Sequence, residues 1–176
     1  MRIPASPDTL GSAALATDTR GAVYVEFLVA FMPLFVFFMA LVQFGFVQTA
    51  NLVVKHSAVT GARAASVVLP DDPAFYGGAP LNRAEGKRFE EIERAVKMPL
   101  VALEPAPAPK VTFPSTPGGT DSKVSFTPSE TVRVRVEYDY RCFVPIGRQL
   151  VCGLVSGKKK LLAEAALPNH GASFTY

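Results

Sequence analysis

The chain has 176 residues, 49% of them hydrophobic and 19% charged, with a formal net charge of +3. That length suits one domain with an appendage rather than two ordinary domains, and the apolar content excludes a disordered chain. The scattered charge leaves no footprint for nucleic acid; two histidines, two cysteines and no tryptophan offer little for a metal or histidine-based active site.

Met1 to Arg20 reads as a tail, in which Arg2 and Arg20 balance Asp8 and Asp18. At its end, Gly21 and Ala22 precede an apolar stretch, and one carboxylate, Glu26, lies five residues beyond Gly21. A carboxylate deep in lipid costs roughly 2.5–3.5 kcal/mol on insertion scales. Near a helix start the cost is smaller, because the free N–H groups and the macrodipole favour an anion. An ordinary helix cap at Gly21 and an interfacial acid at Glu26 are the plainest account of this pair.

Phe27 to Val54 carries no formal charge, and Phe27 to Val42 holds one proline and no polar side chain. A bilayer core of about 30 Å needs roughly 20 helical residues, so the run can span it. A secretory signal peptide would have an apolar stretch of about 7–15 residues and a small-residue cleavage site after it; this run is longer and starts later. An ordinary signal anchor remains compatible. Arg20 and Lys55 flank the run and specify topology weakly; the amino terminus is expected inside, partly because a cysteine pair lies on the other side. The helix is expected to reach Val68, about 70 Å at 1.5 Å per residue, with a kink or local melting at Pro33. Ala50, Ser57, Ala58, Gly61, Ala62 and Ala65 form a stripe that permits close packing, assigned to the chain's own head. Pro70 and Pro73 end the helix.

A second helix is expected from an Asn82 cap to about Met98, burying Phe89, Ile92 and Val96. Its charged residues, Arg88 among them, read as a solvated face, and Pro99 as its stop. Pro105, Pro107 and Pro109 alternate with alanine as a stiff connector. Thr131 to Tyr140 alternates valine and tyrosine with Arg133, Arg135, Glu137 and Asp139, the pattern of a half-buried strand. Ion pairs on its wet face are the plain reading of the arginines; with Arg141, an acidic partner is the other. Cys142 and Cys152 bracket a segment containing Pro145 and Gly147. A disulfide stapling a hairpin is the simplest reading, worth roughly 2–3 kcal/mol in the chain-entropy model, in an oxidising compartment. Free thiols are the alternative, and a zinc site would have only His56 and His170 to add. Lys158, Lys159 and Lys160 precede a last strand, Leu161 to Leu167, as an edge guard or a contact for acidic lipid heads. No phosphate loop or nucleophile elbow is present in the sequence, so no catalytic set, metal, cofactor or small-molecule substrate is expected.

The residues Arg20-Gly21-Ala22 through Val25-Glu26-Phe27, with Gly61-Ala62-Arg63-Ala64-Ala65 after the apolar run, resemble the TadE-like minor pilins or pseudopilins of Tad-type pili. The resemblance covers about residues 20–68. It implies a leader, 1–21, removed by a membrane prepilin peptidase between Gly21 and Ala22. It further implies that the new ammonium of Ala22 pairs with Glu26 of the same or a neighbouring subunit, since a buried charge needs its partner. The expected molecule is an α+β protein: a long N-terminal helix, 22–68, spans the membrane over about 22–48. A head, 69–176, carries an antiparallel sheet and one short helix. The implied setting is the inner membrane, with a cytoplasmic amino terminus, a periplasmic head and possible incorporation into an extracellular pilus. The implied partners are the peptidase, other pilin subunits, the assembly platform and membrane lipid, in a protein that is not an enzyme. The rival reading is a non-pilin single-pass protein with a periplasmic binding or adhesion domain, which would keep residues 1–21 and have no need of Glu26.

Overall fold

The computed structural model describes residues 20–103, 108–153 and 157–169; the expected tail, Pro105, Pro107 and His170 lie outside them. Helix α1, Arg20–Val68, runs unbroken through Pro33. The expected local melting at Pro33 does not occur: the chain is helical on both sides of it. Its two halves differ in surroundings. From Val23 to Phe46 the large apolar side chains are mostly exposed, whereas Val47, Ala50, Val54, Ala58, Ala62, Ala65 and Leu69 are buried. That three-and-four spacing places the second set on one face.

This face packs on helix α2, Gly86–Leu100, and on an antiparallel sheet of order β1-β2-β3. The strands are β1, Lys110–Thr112, β2, Thr131–Arg141, and β3, Lys158–Pro168. The β2–β3 register runs from Thr131 opposite Pro168 to Arg141 opposite Lys158. Val132, Val134, Val136, Tyr138 and Tyr140 all face the core, as their alternation requires. On the other face, Glu137 takes contacts from Arg135 at 3.4 Å and Lys160 at 3.8 Å. The three lysines lie inside the edge strand rather than before it. Three-residue β1 is too short for its period to be read in the sequence. A short helix α3, Gly147–Cys152, completes the fold.

Gly61 sets the spacing of these layers. A Cβ there would come within 2.4 Å of Val96 Cγ2 on α2 and 3.2 Å of Val134 Cγ1 on β2. Four residues earlier, the buried Ser57 hydroxyl donates to the Val96 carbonyl at 2.6 Å, which ties the two helices at their closest approach.

Three sequence expectations about α2 are corrected. Asn82 does not cap it. Its φ is 55°, its N–H donates to the Leu69 carbonyl at 2.8 Å, and its Oδ1 accepts from Asn169 Nδ2 at 2.8 Å. It thus joins the end of α1 to the end of β3, and α2 starts later. Pro99 does not stop the helix, which includes it and tightens into a 3₁₀ turn at Val101–Leu103. Arg88 is fully buried rather than solvated. Its guanidinium donates to the carbonyls of Val68, Asp71 at 2.8 Å and Ala79 at 3.2 Å, and it lies 4.5 Å from the centre of the Tyr76 ring. The last carbonyls of a helix lack internal donors and carry negative partial charge, so a cation satisfies both needs. Burial pulls the Arg88 pKa below its ordinary value, against the favourable pull of Tyr76 and Asp71.

Gly61→Ala should destabilise the head by about 1–2 kcal/mol, because overpacking against two stiff valines exceeds the gain in helix propensity of about 1 kcal/mol. Denaturant unfolding of the full chain in detergent micelles, followed by near-ultraviolet circular dichroism, measures it; a stabilised variant would contradict the close approach.

Candidate functional site

The residues singled out from sequence lie at the two ends of the apolar half of α1. At the start, Gly21 and Ala22 occupy the first turn and are exposed, as is Glu26. A Cβ on Gly21 would meet nothing within 4 Å. Ala22 and Glu26 stand four residues apart and so share one helix face. Above them Phe27, Phe31 and Phe35 stack in succession with centroids 5.4 and 5.7 Å apart. The most apolar window of α1 is nowhere buried against the rest of the chain, and among the described residues this is the one helix long and apolar enough to cross a membrane. It fits a single-pass membrane protein.

Cys142 and Cys152 lie at the other end and are joined, with a Cα–Cα distance of 6.6 Å. The expected hairpin between them is instead a turn and α3. Arg148 N–H donates to the Val144 carbonyl at 2.9 Å, and a loop this short closes over a helical turn as readily as over a hairpin. Ile146 has φ 66° and ψ −57°, and the Gly147 N–H donates to the Pro145 carbonyl at 2.6 Å; this γ-turn, rare for a β-branched residue, turns the chain into α3.

Two residues that sequence reading missed hold this loop on α1. Gly147 is buried so closely that a Cβ would lie 2.3 Å from the Met39 carbonyl oxygen and 3.1 Å from Gln43 Cβ. Gln43 is fully buried, and its Oε1 accepts the Val144 N–H at 2.9 Å. The available signal was that Gln43 is the first polar side chain after Phe27; a buried polar group in such a run requires a partner. Nothing local marked Gly147. The loop therefore meets α1 within the stretch read as the membrane span, while the rest of the head stands farther along the helix.

Among the described residues no group of three or more His, Cys, Asp and Glu could hold a metal ion. The clefts at the surface are lined by different chemistry. One lies between Leu52, His56, Met98 and Pro99, another between Phe46, Leu103, Tyr140 and Phe143. A third contains Asp71, Tyr76 and Glu91, where burial and the hydrogen bond to Asp71 raise the Tyr76 pKa.

The sequence model of the TadE-like protein family matches residues 21–63. That span takes in Gly21, Glu26, the exposed apolar half of α1 and most of its buried small-residue face; the head's sheet lies beyond it. No curated protein and no solved structure matches the chain.

Alkylation of the unreduced protein should leave Cys142 and Cys152 unlabelled, and reduction should expose both and lower stability by roughly 2–3 kcal/mol. Mass spectrometry of the alkylated chain reads the first, and denaturant unfolding the second. Labelling of both thiols without reductant would refute the bridge.

Proposed function

We propose that this chain, TadE-like over residues 21–63, is a minor pilin or pseudopilin of a Tad-type pilus or secretion machine, matured by a prepilin peptidase after Gly21. The observation that carries the reading is the family match on an α1 whose most apolar window is not buried against the rest of the chain. Such a surface is suited to lipid first and to the helices of other subunits later. Both are apolar, so transfer between them loses little hydrophobic free energy, and tight packing decides the outcome.

The exposure of the junction supports this reading. Gly21 presents no side chain to a peptidase pocket, and the bond to Ala22 lies in an exposed first turn. Cleavage creates an α-ammonium, charged near neutral pH, on the helix face that carries Glu26. In lipid or a fibre core either charge alone is costly; breaking a buried pair loses roughly 3–5 kcal/mol. Pairing between the new terminus and Glu26 of a neighbour would therefore fix the axial register of subunits. The head is taken to lie in the periplasm, where the Cys142–Cys152 bridge is stable to reduction. Its partners are then other subunits and the assembly platform, in a structural rather than enzymatic part.

N-terminal sequencing by mass spectrometry of protein from native membranes should find a start at Ala22, lost when the peptidase is deleted. Gly21→Leu should retain residues 1–21. An intact Met1 in membranes with active peptidase would instead favour a plain anchor with a binding head.

Glu26→Ala should leave cleavage largely intact and reduce incorporation into pili at least several-fold, measured by immunoblot of sheared fibres. Normal incorporation would sink the pairing of Ala22 with Glu26.

A further inference from the structure

We propose that the disulfide-closed segment Cys142–Cys152 anchors the head to the bilayer surface: Phe143, Ile146 and Leu150 enter the headgroup zone of the leaflet on the head's side, and Arg141, Arg148 and Lys159 pair with anionic phospholipid headgroups. The proposal rests on the reading of α1 as a membrane span. It adds a second membrane contact, made by the part of the head that lies outside the family match.

The first argument is depth. Counted from Ala22, Met39 and Gln43 stand about 26 and 32 Å along the helix at 1.5 Å per residue, against a hydrocarbon core of about 30 Å. Gly147 lies against the Met39 carbonyl and Val144 bonds to Gln43. Counted in this way, the loop is held near the level where an upright span leaves the hydrocarbon, and tilting of the helix carries it toward the acyl chains.

The second argument is the chemistry facing outward there. Phe143 is 54% exposed, Leu150 60% and Ile146 38%. Three large apolar side chains on a loop of this size are unfavourable in water and favourable at a membrane interface. Phe143 is supported edge-on by Tyr140 with ring centroids 6.0 Å apart; aromatic side chains concentrate at headgroup level. The polar backbone of the segment is also provided for: Cys142 N–H donates to the Gly157 carbonyl at 3.0 Å, and Val144 N–H to Gln43.

The third argument is charge. β2 ends and β3 begins beside this loop, with Arg141 opposite Lys158 and Tyr140 opposite Lys159. Arg148 reaches the same end, since its side chain lies 3.2 Å from where a Gly157 Cβ would stand. Arg141, Arg148 and Lys159 are exposed. The nearest acid on β2, Asp139, is one register pair farther off, opposite Lys160. Basic residues ringing an apolar tip match an anionic lipid surface, and the bilayer holding α1 is already at this height.

The chain contains no tryptophan, so Phe143→Trp and Leu150→Trp each introduce a single fluorophore into the full-length protein. They are compared in vesicles of phosphatidylethanolamine and phosphatidylglycerol with Phe37→Trp in the span and Phe75→Trp at the far end of the head. Each variant is checked for its disulfide by alkylation. Both loop fluorophores should emit at shorter wavelength than Phe75→Trp and be quenched several-fold by lipids brominated near the headgroup. Phe37→Trp should be quenched by bromine deeper in the acyl chain. If Phe37→Trp is quenched while the loop fluorophores behave like Phe75→Trp, the anchor is overturned and the span stands. If Phe37→Trp is not quenched, span and anchor fall together. A blue shift at the loop without lipid quenching would assign the tip to a protein neighbour and reject the lipid contact. In the Phe143→Trp background, joint replacement of Arg141, Arg148 and Lys159 by Gln should weaken quenching in vesicles containing phosphatidylglycerol and not in phosphatidylcholine alone. Equal quenching in both would reject the headgroup pairing.

Discussion

One helix has to satisfy two surroundings, and the architecture follows from how α1 divides itself between them. Its first half presents large apolar side chains on every side and leaves most of them uncovered, apart from the patch around Met39 and Gln43. Its second half narrows the apolar surface to one face of small residues, against which α2 and the sheet close to contact. Small side chains bring backbones together and shift the work of burial onto the partners: Ile92 and Val96 from α2, and the valines of β2. Gly61 marks the closest point because no other residue leaves room for both Val96 and Val134.

Both ends of the buried half are closed by side chains from elsewhere in the chain. At the far end Arg88 reaches back from α2 to the Val68 carbonyl that the helix leaves open and to that of Asp71 just beyond it, and Asn82 and Asn169 lace the helix end to the end of β3. At the near end Gln43 and Gly147 dock the disulfide-closed segment against Met39. The head is therefore fixed along α1 over its whole height rather than hinged at one point.

The candidate functional residues separate in the same way. Gly21, Ala22 and Glu26 stand exposed on the uncovered end of α1. The bridge Cys142–Cys152 lies at the opposite boundary of the apolar half and shapes a tip of Phe143, Ile146 and Leu150. The two regions are separated by about the length of helix that a bilayer requires.

By itself the sequence determined the features set by local periodicity and composition. The long helix follows from its uncharged run, the small-residue face from spacing along it, β2 from strict alternation, and the likeness to TadE-like proteins from the residues around Gly21 and Glu26. The cysteine pairing was legible because the chain has two cysteines close together. Tertiary structure alone decided what depends on distant partners. Arg88 reads as one more charge on a charged helix until Val68, Asp71 and Ala79 turn their carbonyls toward it. Asn82 looks like a cap until Asn169, far along the chain, claims its side chain. Gln43 shows in the sequence only as a polar residue in an apolar run and Gly147 not at all, since the hydrogen bond from Val144 to Gln43 and the approach of Gly147 to Met39 and Gln43 exist only once β2 has run back along α1. Periodicity reports which side of an element is apolar; which element comes to cover it, and at what height, is settled by packing among residues that sequence order keeps apart.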